Sequence, residues 1–403
     1  MIQTSANAKT HAATAGIPAW LNGVPVLGWK AVPGSLMKDM DYTPQLNAGL
    51  SADNKGTPGA GFNFYGSPIS GFFGYGSWML RASDSMVLGM GGGGAGAWAG
   101  NDIRGLPLLD DAPRWRTLVD PSPASNVWGS RYQQVPATGP HSRMKDGVTP
   151  NARHTSWMPQ FDDVANRVYL MGCALVWESD SDPPYPDKLN VDSISLDDKQ
   201  WTGPGAHPNL LHTWGYQGFC VCSDRTKRRA YIFGGSTLDV FDWPTNTIST
   251  LVSSGPTQWD RGSAAVDPVN NLILHIGWFT TTPNQPTVIN LANGALTQAV
   301  LTGTYASAII AGAGPYGAGM CYCPDLGCFL YFPDDGFVYA ITKTDLAHWA
   351  VDRLVTTGVG PAPHISGNAG TPQVWSRFQY VPALKGVVVG PVWNQPAFFL
   401  RIV

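Results

Sequence analysis

Three arginines, Arg153, Arg261 and Arg377, each stand near the start of a predicted strand, far apart in the chain. A guanidinium presents a planar fork of donors, so three converging on one point would suit a carboxylate or a phosphate. Trp375 and Tyr216 lie close to strand starts of the same kind and would add flat apolar faces. These five residues form the candidate binding site, for an anion or an acidic glycan. The plainer expectation is that the arginines pair with aspartates such as Asp260. Acid–base catalysis by two carboxylates finds little support. Glu178 is the sole glutamate, and no pair among the aspartates is set apart by spacing. No catalytic residue is assigned.

Other chemistry-bearing runs have bland readings. Gly89-Met-Gly-Gly-Gly-Gly94 satisfies a dinucleotide-binding pattern, but Ala95-Gly-Ala-Trp-Ala-Gly100 follows it and offers no helix to face a pyrophosphate. Cys220/Cys222 and Cys321/Cys323 are two apart in predicted strands, which is not zinc-knuckle spacing. With Cys173 and Cys328 they are expected to be buried structural thiols, disulfides or metal being the alternative. Asp180, Asp182, Asp187 and Asp192 fall in a loop around Pro183-Pro-Tyr-Pro186, without the spacing of an EF-hand. A solvated loop is expected there. His154 and His275 show no ligand spacing and are expected in the core or in loops. No cofactor and no metal is expected.

The elements that position these residues come from a repeat. A strand–turn–strand unit recurs about every 45 to 55 residues, the period of a propeller blade. It joins a small or aromatic run, an Asp- or Pro-bearing turn, and an apolar run often ended by glycine. Gly218-Phe-Cys-Val-Cys-Ser-Asp224 followed by Arg229-Ala-Tyr-Ile-Phe-Gly-Gly235 is one example. Ser376-Arg-Phe-Gln-Tyr-Val-Pro382 followed by Lys385-Gly-Val-Val-Val-Gly390 is another. Six units begin near residues 71, 151, 214, 259, 315 and 372. Third strands are expected at 287–290 and 337–341, and tryptophan-bearing outer strands at 114–119, 200–201 and 348–351. The expected fold is all-β: a six-bladed β-propeller spanning 23–403, seven blades being the alternative if residues 36–70 hold a degenerate one. Its last unit lacks an outer strand, and residues 26–32 are expected to supply it, which removes a free edge.

Composition agrees with short strands and tight turns. Hydrophobic residues make up 43%, enough for a large core, and charged residues only 13%. Glycine (47) and proline (33) favour turns over helices. With a net charge of −3 and one basic run, Arg225-Thr-Lys-Arg-Arg229, read as a solvated hairpin turn, no nucleic-acid partner is expected. No apolar run is long enough to insert in a membrane, and no signal peptide is seen at residues 1–22.

The repeat resembles the kelch-like and galactose-oxidase-like propellers. Pro150-Asn-Ala-Arg-His-Thr-Ser-Trp157 with Arg167-Val-Tyr-Leu-Met-Gly172 looks like a kelch blade start, and Tyr231-Ile-Phe-Gly-Gly235 keeps the double glycine. The resemblance spans about residues 71–403. Sialidases are similar in fold and in using three arginines, but their Ser-x-Asp-x-Gly-x-x-Trp repeats are missing here. More distantly, the chain resembles propeller proteins of tailed bacteriophage virions. That implies a structural and interaction protein of a tail, fibre or decoration layer, made in the host cytoplasm and present as several copies in one assembly. Residues 1–22 would then be an anchoring arm, and the long loops 36–70 and 120–150 would meet other virion subunits or host-surface glycan. The alternative is a lectin or glycan hydrolase acting at the channel mouth.

Overall fold

The structure, a computed structural model, describes residues 16–36, 77–90, 101–126, 143–150, 158–172, 189–212, 220–256, 262–277, 286–310, 317–333, 335–363, 374, 376–391 and 395–403. Strand β1 (Trp29–Ala31) belongs to the last of six sheets. The first sheet runs outward as β2 (Ser77–Arg81), β3 (Met86–Met90), β4 (Ile103–Pro107) and β5 (Arg116–Val119). The second holds β6 (Pro159–Asp162), β7 (Arg167–Met171) and β8 (Val191–Ser195), with Trp201 bridging Ile194 outside them. The third is β9 (Cys220–Asp224), β10 (Arg229–Gly234), β11 (Thr237–Asp242) and β12 (Thr247–Val252). The fourth is β13 (Ser263–Asp267), β14 (Leu272–Ile276), β15 (Thr287–Asn290) and β16 (Leu296–Gln298). The fifth starts from β18 (Gly319–Cys323), β19 (Cys328–Phe332), β20 (Tyr339–Lys343) and β21 (His348–Arg353), and β17 (Val300–Thr302) adds to its outer edge in parallel. The sixth is β22 (Phe378–Val381), β23 (Gly386–Val389), β24 (Phe398–Arg401) and β1. The innermost strands β2, β6, β9, β13, β18 and β22 each pack on the next, and β22 returns to β2. The chain is a closed six-bladed β-propeller.

One local geometry repeats in every blade. The two inner strands are joined by four residues, and the last of these has a positive φ: Ser85 (53°), Asn166 (45°), Arg228 (54°), Asn271 (56°), Gly327 (61°) and Lys385 (50°). Four-residue hairpin loops are commonly built on a type I turn, and here a left-handed residue leads into the second strand. Glycine and asparagine accept that conformation readily, whereas a lysine or arginine pays about 1 kcal/mol for it. Lys385→Gly is therefore expected to stabilise by about 0.5–1 kcal/mol and Gly327→Ala to destabilise by about 1 kcal/mol. Urea midpoints check both signs, and a destabilised Lys385→Gly would contradict the turn assignment.

The second strand of each blade is buried almost throughout, as in Met86-Val-Leu-Gly-Met90 and Gly386-Val-Val-Val389. Such strands read as unbroken apolar runs because both faces meet a neighbouring sheet. Residues 16–36 close the ring. β1 pairs antiparallel with β24 (Trp29 opposite Leu400, Ala31 opposite Phe398), as expected for 26–32. The same segment reaches the first blade, where Trp20 donates from Nε1 to Leu108 O at 3.1 Å and Ala19 N donates to Asp111 at 2.6 Å. It reaches the fifth through Trp29 N to Thr357 O at 2.9 Å. Residues 16–22 of the expected arm are thus laid against the ring, and 1–15 lie outside the described residues.

One expectation is corrected. Asp192 is no loop residue but the second residue of β8, fully buried and paired with Arg143. Asp180, Asp182, Asp187 and most of the loops 36–70 and 120–150 fall outside the described residues. Among the described residues no helix is long and apolar enough to cross a membrane.

Candidate binding site

In a radial sheet the innermost strand keeps one hydrogen-bonding edge turned to the axis, and that edge must be satisfied or left for a ligand. Side chains from adjoining blades take part of it. Gln379 donates from Nε2 to Ser376 O at 2.7 Å and to Trp78 O at 3.3 Å. Trp78 N donates to Ser376 Oγ at 3.1 Å, and Ser263 Oγ to Ala318 O at 2.7 Å. Backbone and polar tips therefore line the channel, and apolar side chains fill the seams between blades.

At the turn-side mouth the blades are tied by carboxylates. Asp162, Asp224 and Asp267 end the inner strands of blades two, three and four, and each accepts an N–H from its own turn: Val164, Lys227 and Val269 at 3.1, 3.0 and 2.9 Å. This fixes the carboxylate at the seam, within reach of the following blade. Arg228 of blade three forks onto Asp162 of blade two at 3.1 and 2.7 Å. Arg225 pairs with Asp163 and donates to Leu80 O of blade one at 2.7 Å, while Ala82 N donates to Asp163 at 2.7 Å. Tyr322 of blade five stands beside Asp267 of blade four, whose oxygens accept from Val269 N, Asn270 N and Asn270 Nδ2. Tyr380 of blade six donates to Asp325 of blade five, with Lys385 Nζ 3.7 Å from the same carboxylate. The run Arg225–Arg229 forms a turn as expected, but two of its arginines are inter-blade ties.

Between these ties opens a cavity of 290 Å³. Its wall includes Gln160, Asp224, Val266, Tyr322, Gln379 and Tyr380, from five of the six blades. Around the mouth the turns of blades four to six begin with exposed prolines, Pro268, Pro324 and Pro382. The turn tips Val164 and Val269 are 72% and 76% exposed. The mouth is thus apolar on blades four to six and charged, but internally paired, on blades two and three. A second cavity of 360 Å³ lies at the outer strands of blade three, where Arg229 and Asp242 pair at 2.7 Å.

Burial acts on a phenol and on thiols along this wall. Desolvation, then the neighbouring Asp267 carboxylate, pushes the Tyr322 phenol to about 12. Burial also pushes up the Cys222 and Cys321 thiols that line the cavity, and takes Cys328 to about 12. Thiols held protonated are poor nucleophiles. The native state keeps these protons above the ordinary thiol value of 9.0 while the unfolded chain loses them. The stability tied to Cys328 is thus present below pH 9 and lost as pH rises towards about 12. The urea midpoint is expected to fall between about pH 8 and about pH 10.5, and less steeply in Cys328→Val. Equal slopes for both proteins would remove Cys328 as a cause.

Of the five residues singled out in the sequence, only Arg377 is described. It is fully buried, donating from Nε to Gly390 O at 2.9 Å and from Nη2 to Pro391 O at 3.4 Å, within its own blade. Arg153, Arg261, Trp375 and Tyr216 lie outside the described residues, as do His154 and Cys173. His275 is buried in β14 and stacks on Phe233 at 4.7 Å between ring centres. Asp224, Val266, Tyr322 and Tyr380 were not anticipated. Superposing the six units on their turns would have found them, because Tyr322 and Tyr380 share the position that Val266 fills in blade four.

No protein-family model matches the sequence, and no curated protein matches it. Among solved structures, one titled "Structure of YjhT" aligns at 11% identity and a TM-score of 0.42, covering 81% of this chain and 93% of that one. A crystal structure of a nidogen/laminin complex aligns at 9% identity and a TM-score of 0.38, over 68% of this chain and 83% of that one.

Proposed function

We propose that this chain is a structural and interaction protein without catalytic activity of its own, a kelch-like propeller built into a tailed-phage virion. The propeller fold supports an interaction or binding role. The observation that carries this reading is the turn-side channel mouth, a preformed cavity of 290 Å³ whose lining includes the exposed prolines Pro268, Pro324 and Pro382. A wall drawn from five closed sheets loses little conformational freedom when a partner docks, so more of the contact energy appears as affinity. The carboxylates there are mostly engaged in inter-blade ties and the thiols are held protonated, which favours a contact surface over a reacting centre. Its partners in this reading are other virion subunits and further copies of the chain.

The test is localisation in purified particles, using gold-labelled antibody against the chain and electron microscopy. Label at a fixed position on the virion is the expected result. Recovery of the chain only as free protein, with every particle unlabelled, would end the virion assignment. Degradation of a polysaccharide by the purified chain would end the non-catalytic one.

A further inference from the structure

One inter-blade tie lacks its donor. At neighbouring seams an acid near the turn meets a group from the next blade: Arg228 donates to Asp162 at the end of its strand, Tyr380 donates to Asp325 in the turn, and Tyr322 stands beside Asp267. Asp224 of blade three breaks the series. It is 2% exposed, and one of its oxygens accepts Lys227 N at 3.0 Å. The other, Oδ2, has no hydrogen-bond donor among the described residues. The Lys227 ammonium lies 3.8 Å from it and is hydrogen-bonded to Asn271 instead. The reason is visible in the register. One residue before the end of the inner strand, blades five and six carry Tyr322 and Tyr380, and blade four carries Val266. Val266 packs towards blade three and lines the cavity together with Asp224.

We propose that this gap is a receptor for a phenol: a tyrosine side chain of a partner protein enters the cavity and donates its hydroxyl to Asp224. At each of the two following seams a tyrosine from the next blade stands beside the acid, and at the second its hydroxyl donates to Asp325; the open seam is shaped by the same repeat. The volume of 290 Å³ lies near the lower end of ligand pockets, room for a single aromatic side chain. Val221, Val266, Met320 and Pro268 offer an apolar wall to a flat ring bearing one hydroxyl, where a sugar would bring hydroxyls all round. Lys227 beside Asp224, and Arg225 paired with Asp163, leave no surplus negative charge for an ammonium. A buried carboxylate oxygen without a donor is costly, so a neutral hydroxyl has much to offset. The inference rests on the interaction reading above and names the chemistry of the contact.

The probe is the capped tripeptide acetyl-Gly-Tyr-Gly-amide, titrated into the purified full chain and followed at the Met320 methyl by NMR. Saturable binding is expected, with at least about tenfold weaker binding for the Phe tripeptide and for Asp224→Asn. Asp224→Asn keeps the acceptor for Lys227 N and removes the one for the phenol. Val266→Tyr is expected to fill the gap from within, raising the melting temperature and abolishing binding. Equal binding of the Tyr and Phe peptides, full binding by Asp224→Asn, or no shift with any probe overturns the proposal. Binding of 4-methylphenol without binding of the peptide overturns the partner-protein part of it. Because the isolated chain is used, failure here leaves particle localisation to decide the virion reading separately.

Discussion

Deleting residues 1–36 is expected to abolish the cooperative unfolding transition and leave an aggregating chain. The segment carries β1, which pairs with the outer side of β24, so its loss exposes a strand edge running from Phe398 to Arg401. It also uncovers the seam between blades six and one, where Trp20 and Val32 pack with Trp78, Trp115 and Phe399. Trp20 meets Phe399 edge to face at 5.7 Å. Trp20→Ala alone is expected to cost about 3–5 kcal/mol, the range for removing a buried aromatic. A synthetic peptide of residues 16–36 added in trans is expected to restore a cooperative melt. A truncated chain that melts at the wild-type temperature would refute the closure.

Breaking the Arg143–Asp192 pair is expected to be the most damaging single change outside the closure. Both side chains are at most 1% exposed, and Arg143 also donates to Val148 O at 3.1 Å. Removing one partner leaves the other charge buried, so Asp192→Ala and Arg143→Met should each cost about 3–5 kcal/mol. The double substitution should cost well under their sum, by about 2 kcal/mol. The part-buried pair Arg81–Asp84 is the internal control. Asp84 is 43% exposed, and Asp84→Ala should cost less than about 1 kcal/mol. Chemical denaturation of the four variants checks these values, and additive losses at 143 and 192 would show that the two residues are not energetically coupled.

The propeller was legible because its signal is local and repeated. Six apolar runs at similar intervals, each preceded by a turn, suffice for six radial sheets. The closing strand followed from counting strands in the last unit. Within the turns the signal is mixed: Asn166, Asn271 and Gly327 advertise the left-handed position, while Ser85, Arg228 and Lys385 adopt it under the constraint of a four-residue loop. Asp192 was misplaced because aspartate is disfavoured in strands and follows a Pro/Asp-rich run, and only its buried arginine explains it. β17 was unreadable for another reason: it pairs in parallel with β21 across dozens of residues, and no local pattern encodes a pairing at that range. The candidate cavity is of the same kind. Its defining feature is a valine at the position that carries tyrosine in the two following blades, which has meaning only once neighbouring blades are placed in register.

The pairing of β1 with β24 sets how the molecule responds to load. Trp29 lies opposite Leu400, so the two strands leave the seam at the same end and tension between them would part their hydrogen bonds in succession, like a zip. Such a geometry resists poorly by itself. The indole of Trp20, lodged under blade one upstream of β1, must be extracted before the pull reaches Trp29. Mechanical strength at this joint therefore resides in a plug rather than in the ladder, and a chain pulled from upstream of Trp20 would hold until that plug gives way.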